Sequence, residues 1–162
     1  MNTRKHIAIA LLMALTFLGL PGCGTSNHLQ TITLSSSNST GTFEVKGIGG
    51  TLQLKAIGNY SSTQTHDLTN VVTYTVTPDG TASNGAPLLA PPQTVILNKT
   101  GLVTAVDPAV CTFVNLQTDP TKPAAWALTG TYKVIATFQG ISSQPVFVAV
   151  ASAAGPGGPC GP

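Results

Sequence analysis

The chain has 162 residues, of which 42% are hydrophobic and only 7% are charged, against roughly 25% charged residues in an average soluble protein. This length fits one ordinary domain with a short appendage. The low charge argues against a coiled coil, a charged disordered segment and an acidic or basic tail. It also leaves few acids, bases and metal ligands from which a catalytic site could be assembled.

The formal net charge of +2 overstates the basic character of the chain, because Arg4 and Lys5 lie in a segment that we expect to be removed. The remaining residues include five lysines and five acids, so their side chains sum to zero. A neutral chain with scattered lysines lacks the basic patch that binds nucleic acid. No nucleic-acid partner is therefore expected.

The N-terminus has the features of an export signal. Arg4 and Lys5 precede Ile7–Leu20, a run of fourteen uncharged residues. As a helix this run would extend about 21 Å, short of the roughly 30 Å hydrocarbon core of a bilayer. A basic start, a short apolar run and small residues after it are typical of a secretion signal. Residues 1–22 are therefore predicted to be a signal peptide, the alternative being a buried N-terminal helix.

The four residues Leu20-Pro21-Gly22-Cys23 resemble the lipobox of bacterial lipoproteins. The resemblance implies cleavage before Cys23, attachment of a diacylglycerol to its sulfur and acylation, palmitate included, of its new amino group. Two or three acyl chains anchor a protein stably in a membrane. Gly24, where an inner-membrane lipoprotein would carry aspartate, implies the outer membrane of the bacterial cell envelope. Residues 23–29 would then be a lipidated tether; the alternative is an ordinary secretion signal, with Cys23 in a disulfide.

If Cys23 is lipidated, Cys111 and Cys160 remain, and they allow one pairing. Exported compartments are oxidising enough to maintain a disulfide. The bridge would close a loop of 50 residues, which is worth up to about 4 kcal/mol in the chain-entropy model. It would also hold the Gly/Pro-rich tail, residues 151–162. The alternative is two free thiols.

From residue 30 to residue 150, apolar residues alternate with polar ones, and turn residues separate the short runs. This period of two predicts strands, with threonine at many outward positions. No convincing helical period follows residue 23, so we predict an all-β chain folded as a β-sandwich. The stripes predicted to face the core are Ile32 and Leu34; Phe43 and Val45; Leu52, Leu54 and Ala56; Val72, Tyr74 and Val76; Tyr132, Val134, Ala136 and Phe138; and Val146, Val148 and Val150.

Several segments, in this order, resemble the bacterial immunoglobulin-like domain, group 2. These are Gly50–Ala56, Asp67–Tyr74, Gly101–Ala105, Gly130–Thr137 and Val146–Val150. The resemblance implies an immunoglobulin-like β-sandwich over residues 30–150. It also implies a non-catalytic role in adhesion or binding at the cell surface, with a surface protein or a polysaccharide as partner.

Two regions depart from that pattern. Pro78–Thr94 is a long connection, and residues 106–129 form an insertion that contains Cys111 and Trp126, the only tryptophan of the chain. Trp126 is expected to lie in this insertion and not in a strand. Loops on a rigid scaffold often carry recognition. Trp126 is therefore the candidate contact residue; the alternative is that it packs the insertion against the sandwich.

The motifs of common catalytic sites are missing from the sequence. No pair of His or Cys residues has zinc-site spacing, and no serine lies in a Gly-x-Ser-x-Gly turn. His66 and Asp67 are predicted to lie on a turn, with Asp67 capping a backbone amide, and Pro78-Asp79-Gly80 is predicted to be a turn. We therefore expect no enzyme activity and no catalytic, cofactor or metal site. Two other functions stay open: an accessory or structural subunit that pairs through an edge strand, and a small carbohydrate-binding module.

Overall fold

A computed structural model describes residues 27–38, 41–47, 49–82, 85–91, 95–106 and 111–151. The predicted signal peptide, Cys23, Cys160 and the tail from residue 152 onward lie outside these described residues. The described residues form strands, turns and loops and contain no helix, which confirms the prediction of an all-β chain.

The described residues form twelve strands. In chain order they are β1 (Leu29–Ser36), β2 (Glu44–Lys46), β3 (Thr51–Tyr60), β4 (Thr65–Asp67), β5 (Thr73–Gly80), β6 (Val95–Leu97), β7 (Leu102–Ala105), β8 (Phe113–Asn115), β9 (Trp126–Leu128), β10 (Gly130–Phe138), β11 (Ile141–Ser142) and β12 (Val146–Ala151).

The strands form two large sheets and one small hairpin. The first sheet has the order β1-β3-β7-β6, and β4 also pairs with β3. In the second sheet, β10 pairs with β5 along one edge and with β12 and β11 along the other, and β2 pairs in parallel with β12. These are the A-B-E-D and C-F-G strand orders of a constant-type immunoglobulin sandwich. The fold is therefore the immunoglobulin-like β-sandwich that the sequence predicts.

The core lies between the two sheets and is made by the alternating apolar residues of both. Twelve of the predicted inward residues are buried: Ile32, Leu34, Val45, Leu52, Leu54, Ala56, Val72, Tyr132, Val134, Ala136, Val148 and Val150. The other five, Phe43, Tyr74, Val76, Phe138 and Val146, are partly buried against this core. The period of two therefore identified most of the core.

Tyr132 fixes the long connection that follows β5. Its side chain is fully buried, and its hydroxyl donates a hydrogen bond of 3.1 Å to the carbonyl oxygen of Leu89. Leu88, the preceding residue, is itself buried in the core. The connection therefore closes over the core.

Three local predictions are wrong. Pro78-Asp79-Gly80 is not a turn: it is the end of β5, paired with Tyr132, Thr131 and Gly130 of β10. β5 pairs with one described strand only, and such an edge strand tolerates proline, which cannot donate to a second neighbour. His66 and Asp67 lie in β4, not on a turn, and Trp126 lies in strand β9 within the insertion. In each case the pairing with another strand, which local composition does not reveal, makes the segment a strand.

The sandwich has two distinct ends, separated by the length of β3. At its ten residues and about 3.3 Å per residue, β3 is about 30 Å long. We call the end at Tyr60, where the chain enters at Asn27, the tether end. At the other end Gly47 N donates to Ala151 O at 2.7 Å and Gly49 N donates to Ala105 O at 2.8 Å, so β2, β7 and β12 all finish beside the start of β3. We call this the far end.

Candidate functional site

The insertion between β7 and β10 is a β-hairpin with a ten-residue loop. β8 and β9 pair antiparallel, with Asn115 opposite Trp126, and residues 116–125 connect them. The hairpin does not pair with either large sheet. Its position therefore depends on its attachment at the base.

Thr112 attaches the base of the hairpin to the far end of the sandwich. This side chain is fully buried, and its amide and hydroxyl both donate to the carbonyl oxygen of Val150, at 2.8 Å and 3.0 Å. The carbonyl oxygen of Thr112 in turn accepts a hydrogen bond from the amide of Thr129, and the hydroxyl of Thr129 donates to Thr81 O at 3.1 Å. The base is thus bonded to the ends of β12 and β5 and to the start of β10.

Cys111, beside Thr112, is buried and disulfide-bonded. The other two cysteines of the chain, Cys23 and Cys160, lie outside the described residues. The predicted pairing with Cys160 therefore stays a prediction. A covalent link at this position adds a second attachment to the base of the hairpin.

The loop, which we call the insertion tip (Leu116–Ala125), is closed by its own polar groups. The Oδ1 atom of Asn115 accepts hydrogen bonds from the amides of Gln117 and Ala125, both at 3.0 Å. The amide of Leu116 donates to Ala125 O at 2.7 Å. These bonds join the two sides of the loop at its neck.

Asp119 organises the middle of the insertion tip. Its Oδ1 accepts hydrogen bonds from the hydroxyl of Thr121 at 2.7 Å and from the amide of Thr121 at 3.0 Å. These two hydrogen bonds lower the pKa of Asp119, because they stabilise the carboxylate form. Lys122 Nζ lies 3.8 Å from Asp119 Oδ2. This carboxylate is thus occupied in shaping the loop.

Leu116 is the apolar group that the insertion tip presents. It is 65% exposed, the highest value among the large hydrophobic residues that the structure describes. A single leucine between Asn115 and Gln117 gives no periodic signal, so the sequence did not reveal it. The contact predicted for Trp126 stays a prediction, because its side chain lies outside what the structure describes.

The insertion and the tether lie at opposite ends of the domain. Thr112 bonds to Val150, one residue before the end of β12, which finishes at the far end. Asn27 is at the tether end, where its Oδ1 accepts a hydrogen bond of 2.8 Å from the hydroxyl of Ser62. The strand topology thus places the insertion about 30 Å from the point where the tether joins the domain.

Two surface clefts are further candidates. One, of about 520 Å³, lies where the chain crosses from β1 to β2 and is lined by polar residues including Asn38, Glu44, Lys46 and Gln53. The Asn38 amide donates within its own turn to Thr42 O at 2.6 Å, and that of Gln53 donates to Thr100 O at 2.7 Å. These amide hydrogens are therefore committed to local structure.

The second cleft, of about 470 Å³, lies between the residues before β5 and the β6–β7 turn. Tyr74 lines it, and its hydroxyl donates to Thr69 O at 3.1 Å. Burial, with a smaller contribution from repulsion by Asp67, raises the pKa of Tyr74 to about 12. The hydroxyl is thus a structural donor in the neutral form.

Asp67 forms the backbone cap that the sequence predicts. Its Oδ1 accepts a hydrogen bond of 2.9 Å from the amide of Thr69, and Lys55 Nζ lies 3.8 Å from its Oδ2. Hydrogen bonds from Thr69, with a smaller effect of Lys55, lower the pKa of Asp67. Its neighbour His66 makes an edge-on ring contact with Tyr60, at 5.0 Å between centroids.

In the described ranges, no three His, Cys, Asp or Glu side chains lie together in a way that could hold a metal ion. Across the same residues, no helix has the length and apolar character needed to cross a membrane. No protein-family model matches the chain, and no curated protein matches it significantly.

Proposed function

We propose that this chain is a bacterial envelope lipoprotein, anchored through acyl chains on Cys23, whose non-catalytic immunoglobulin-like domain binds a protein partner through the insertion tip. The observation that carries the proposal is the opposition of the two ends: the tether joins the domain at one end and the base of the insertion is bonded at the other. An anchored domain built this way presents the insertion away from the membrane. The lipobox resemblance supports the anchor, and Gly24 supports the outer membrane over the inner one.

The construction of the insertion supports a binding role. Its base is held by buried Thr112 and by the disulfide at Cys111, and its neck is closed by Asn115. A preorganised loop loses little conformational entropy when it binds, so more of its contact energy appears as affinity. Leu116 in the tip supplies an exposed apolar contact, which favours a protein over a polysaccharide as partner.

The strand order supports the resemblance to group 2 of the bacterial immunoglobulin-like domains. That resemblance implies a role in adhesion or binding, and we include membership of the group in the proposal. Two of the described carboxylates, on Asp67 and Asp119, are engaged in turns, which supports a scaffold role for these acids.

The anchor is tested by the intact mass of the protein extracted from native membranes. We expect a chain that starts at Cys23 with added acyl mass, and a gain of about 2 Da on reduction for one disulfide. A soluble species without acyl mass would refute the anchor. Proteolytic fragments of the same protein, prepared without reductant, identify the cysteine that is bonded to Cys111.

The binding surface is tested by photo-crosslinking in intact cells. A photoreactive amino acid replaces Leu116 in one variant and Gln144, an exposed polar residue of the β11–β12 connection, in the matched control. We expect a discrete protein adduct from position 116 and none from position 144. Absence of an adduct at 116, with normal amounts of folded protein in the envelope, would contradict binding through the tip.

A second candidate function is an accessory subunit of an envelope complex, and the observation that favours it is the edge of β5. This eight-residue strand pairs with β10 and with no other described strand, and Thr73, Thr75 and Thr77 are exposed. A free edge of this length can accept a strand from a partner. The same crosslinker at Thr75 distinguishes the two: an adduct of one stoichiometric partner there, and none at 116, favours the subunit.

A further inference from the structure

The first described residues of the chain are bonded to the turn between β3 and β4. The side chain of Asn27 accepts a hydrogen bond of 2.8 Å from the hydroxyl of Ser62 and donates one of 3.3 Å to Oε1 of Gln64. The next residue, His28, exchanges two bonds with Ser61: its amide donates to the Ser61 hydroxyl at 3.2 Å, and its carbonyl accepts from the Ser61 amide at 3.0 Å. The entry point of the chain is thus fixed against Ser61–Gln64, which we call the tether turn.

Covalent geometry limits how far this turn can lie from Cys23. Four residue steps separate Cys23 from Asn27, and four steps span at most about 14 Å when fully extended. The headgroup layer of one leaflet, taken from total and hydrocarbon thickness, accounts for about 5 to 7 Å. A diacylglycerol on Cys23 holds its sulfur near the inner boundary of that layer. The tether turn then lies within about 10 Å of the headgroup surface.

We propose that the tether turn is a membrane-contacting surface, and that it fixes the orientation of the domain with the insertion tip pointing away from the bilayer. This inference rests on the lipid anchor of the proposed function and deepens it. Its occupant is the headgroup layer of the membrane that holds Cys23.

The chemistry of the tether turn fits a phospholipid headgroup layer. Residues 61–66 read Ser-Ser-Thr-Gln-Thr-His and include no acidic side chain that anionic phosphate would repel. Residues 62–66 are exposed, and hydroxyl and amide groups hydrogen-bond to phosphate and ester oxygens. The nearest acid along the chain, Asp67, has Lys55 within 3.8 Å.

The same segment has no Lys or Arg, so it lacks the electrostatic attraction that basic residues have for anionic lipid. The contact is therefore imposed by the short tether and the Asn27 bonds, and not by an intrinsic affinity of the turn for lipid. A longer tether should abolish it while leaving the protein on the membrane.

The single tryptophan of the chain makes this measurable. Trp126→Phe combined with Thr63→Trp places the only tryptophan on the tether turn without removing a bond to Asn27, and Trp126→Phe combined with Leu116→Trp places it on the insertion tip. Each full-length, acylated variant is reconstituted in phosphatidylcholine–phosphatidylglycerol vesicles containing a lipid with a nitroxide on its headgroup. We expect several-fold stronger quenching at position 63 than at position 116.

A third variant adds about twelve Gly and Ser residues after Gly24 to the position-63 reporter, which raises the root-mean-square reach of the tether from about 11 Å to about 22 Å. We expect it to float with the vesicles but to be quenched no more than position 116. Undiminished quenching would overturn the claim that the tether imposes the contact. If Trp126→Phe prevents folding, the Thr63→Trp variant with Trp126 retained is measured instead, and the added emission is compared with that of the unmodified protein.

Flotation separates the two proposals. If the unmodified protein does not float with the vesicles, the anchor fails, and the orientation fails with it. If it floats and the tryptophans at 63 and 116 are quenched equally, or 116 more strongly, the anchor stands and the orientation is overturned.

Discussion

Gly101 and Gly140 form a matched pair that tests how the two sheets are held together. Gly101 lies in the turn between β6 and β7, with φ +78°, and Gly140 lies in the turn between β10 and β11, with φ +79°. Both backbones are therefore in the left-handed region that disfavours a side chain. They differ in their surroundings: a Cβ atom at Gly140 would meet nothing within 4 Å, whereas one at Gly101 would lie 2.7 Å from Leu54 O and 2.8 Å from Tyr74 Oη.

The magnitudes follow from these two environments. In Gly140→Ala the left-handed backbone destabilises the folded state by about 1 to 2 kcal/mol. Alanine also lowers the conformational entropy of the unfolded chain, which offsets about 0.4 to 1 kcal/mol of this, so the free energy of unfolding falls by about 1 kcal/mol. Gly101→Ala incurs the same loss plus about 2 kcal/mol for forcing a methyl group into a packed site. It also displaces the carbonyl of Gly101, which accepts a 2.8 Å hydrogen bond from Leu54 N. We expect a total near 3 kcal/mol.

The assay is urea unfolding followed by circular dichroism, with the slope of the free energy against urea compared among variants to verify a common unfolding transition. A double-mutant cycle with Tyr74→Phe removes the hydroxyl oxygen that the new methyl group would meet. We expect Gly101→Ala to cost about 1 kcal/mol less in that background, because one of its two closest contacts is gone. Equal destabilisation by Gly101→Ala and Gly140→Ala would refute the reasoning.

Three further predictions use the same unfolding assay. Since the pKa of Tyr74 is raised to about 12 from 10.0, its contribution to stability is complete below pH 10.0 and is lost as the pH rises towards 12; Tyr74→Phe should show a smaller alkaline loss, and an identical loss would contradict the assignment. Thr112→Val should lower stability by about 1 kcal/mol, because it removes the hydroxyl bond to Val150 O while the amide bond to the same oxygen remains; no change would show that this bond is not stabilising. Thr63→Gly should raise stability by about 0.5 kcal/mol, since Thr63 is β-branched at φ +63°. The control Thr65→Gly, in strand β4, should lower stability. If both substitutions lower it, the turn at Thr63 is not strained.

The all-β class and most of the core could be predicted from the sequence. Alternation of apolar and polar residues is a local property, and burial of one face of each strand follows from it directly. Leu52, Leu54 and Ala56 are buried as that pattern requires. The cap formed by Asp67 was predictable for the same reason, because Asp67 and Thr69 are only two residues apart.

The errors arose where distant residues decide the backbone. Pro78-Asp79-Gly80 has the composition of a turn, but Gly130–Tyr132 extends β10 beside it and makes it a strand. Trp126 was assigned to irregular structure because its partner, Asn115, is eleven residues away. Pairing energy between separated segments is not encoded in the composition of either one alone.

The sequence by itself determined the all-β class, the inward stripes and the short distance from Cys23 to the domain, because covalent connection and alternation are local. Only the tertiary structure decided which loops share an end of the sandwich. The bonds of Asn27 to the tether turn and of Thr112 to Val150 join residues 35 to 38 positions apart, at opposite ends of the same sheets. Strand direction and register, which no single segment specifies, separate the point of attachment from the projecting insertion.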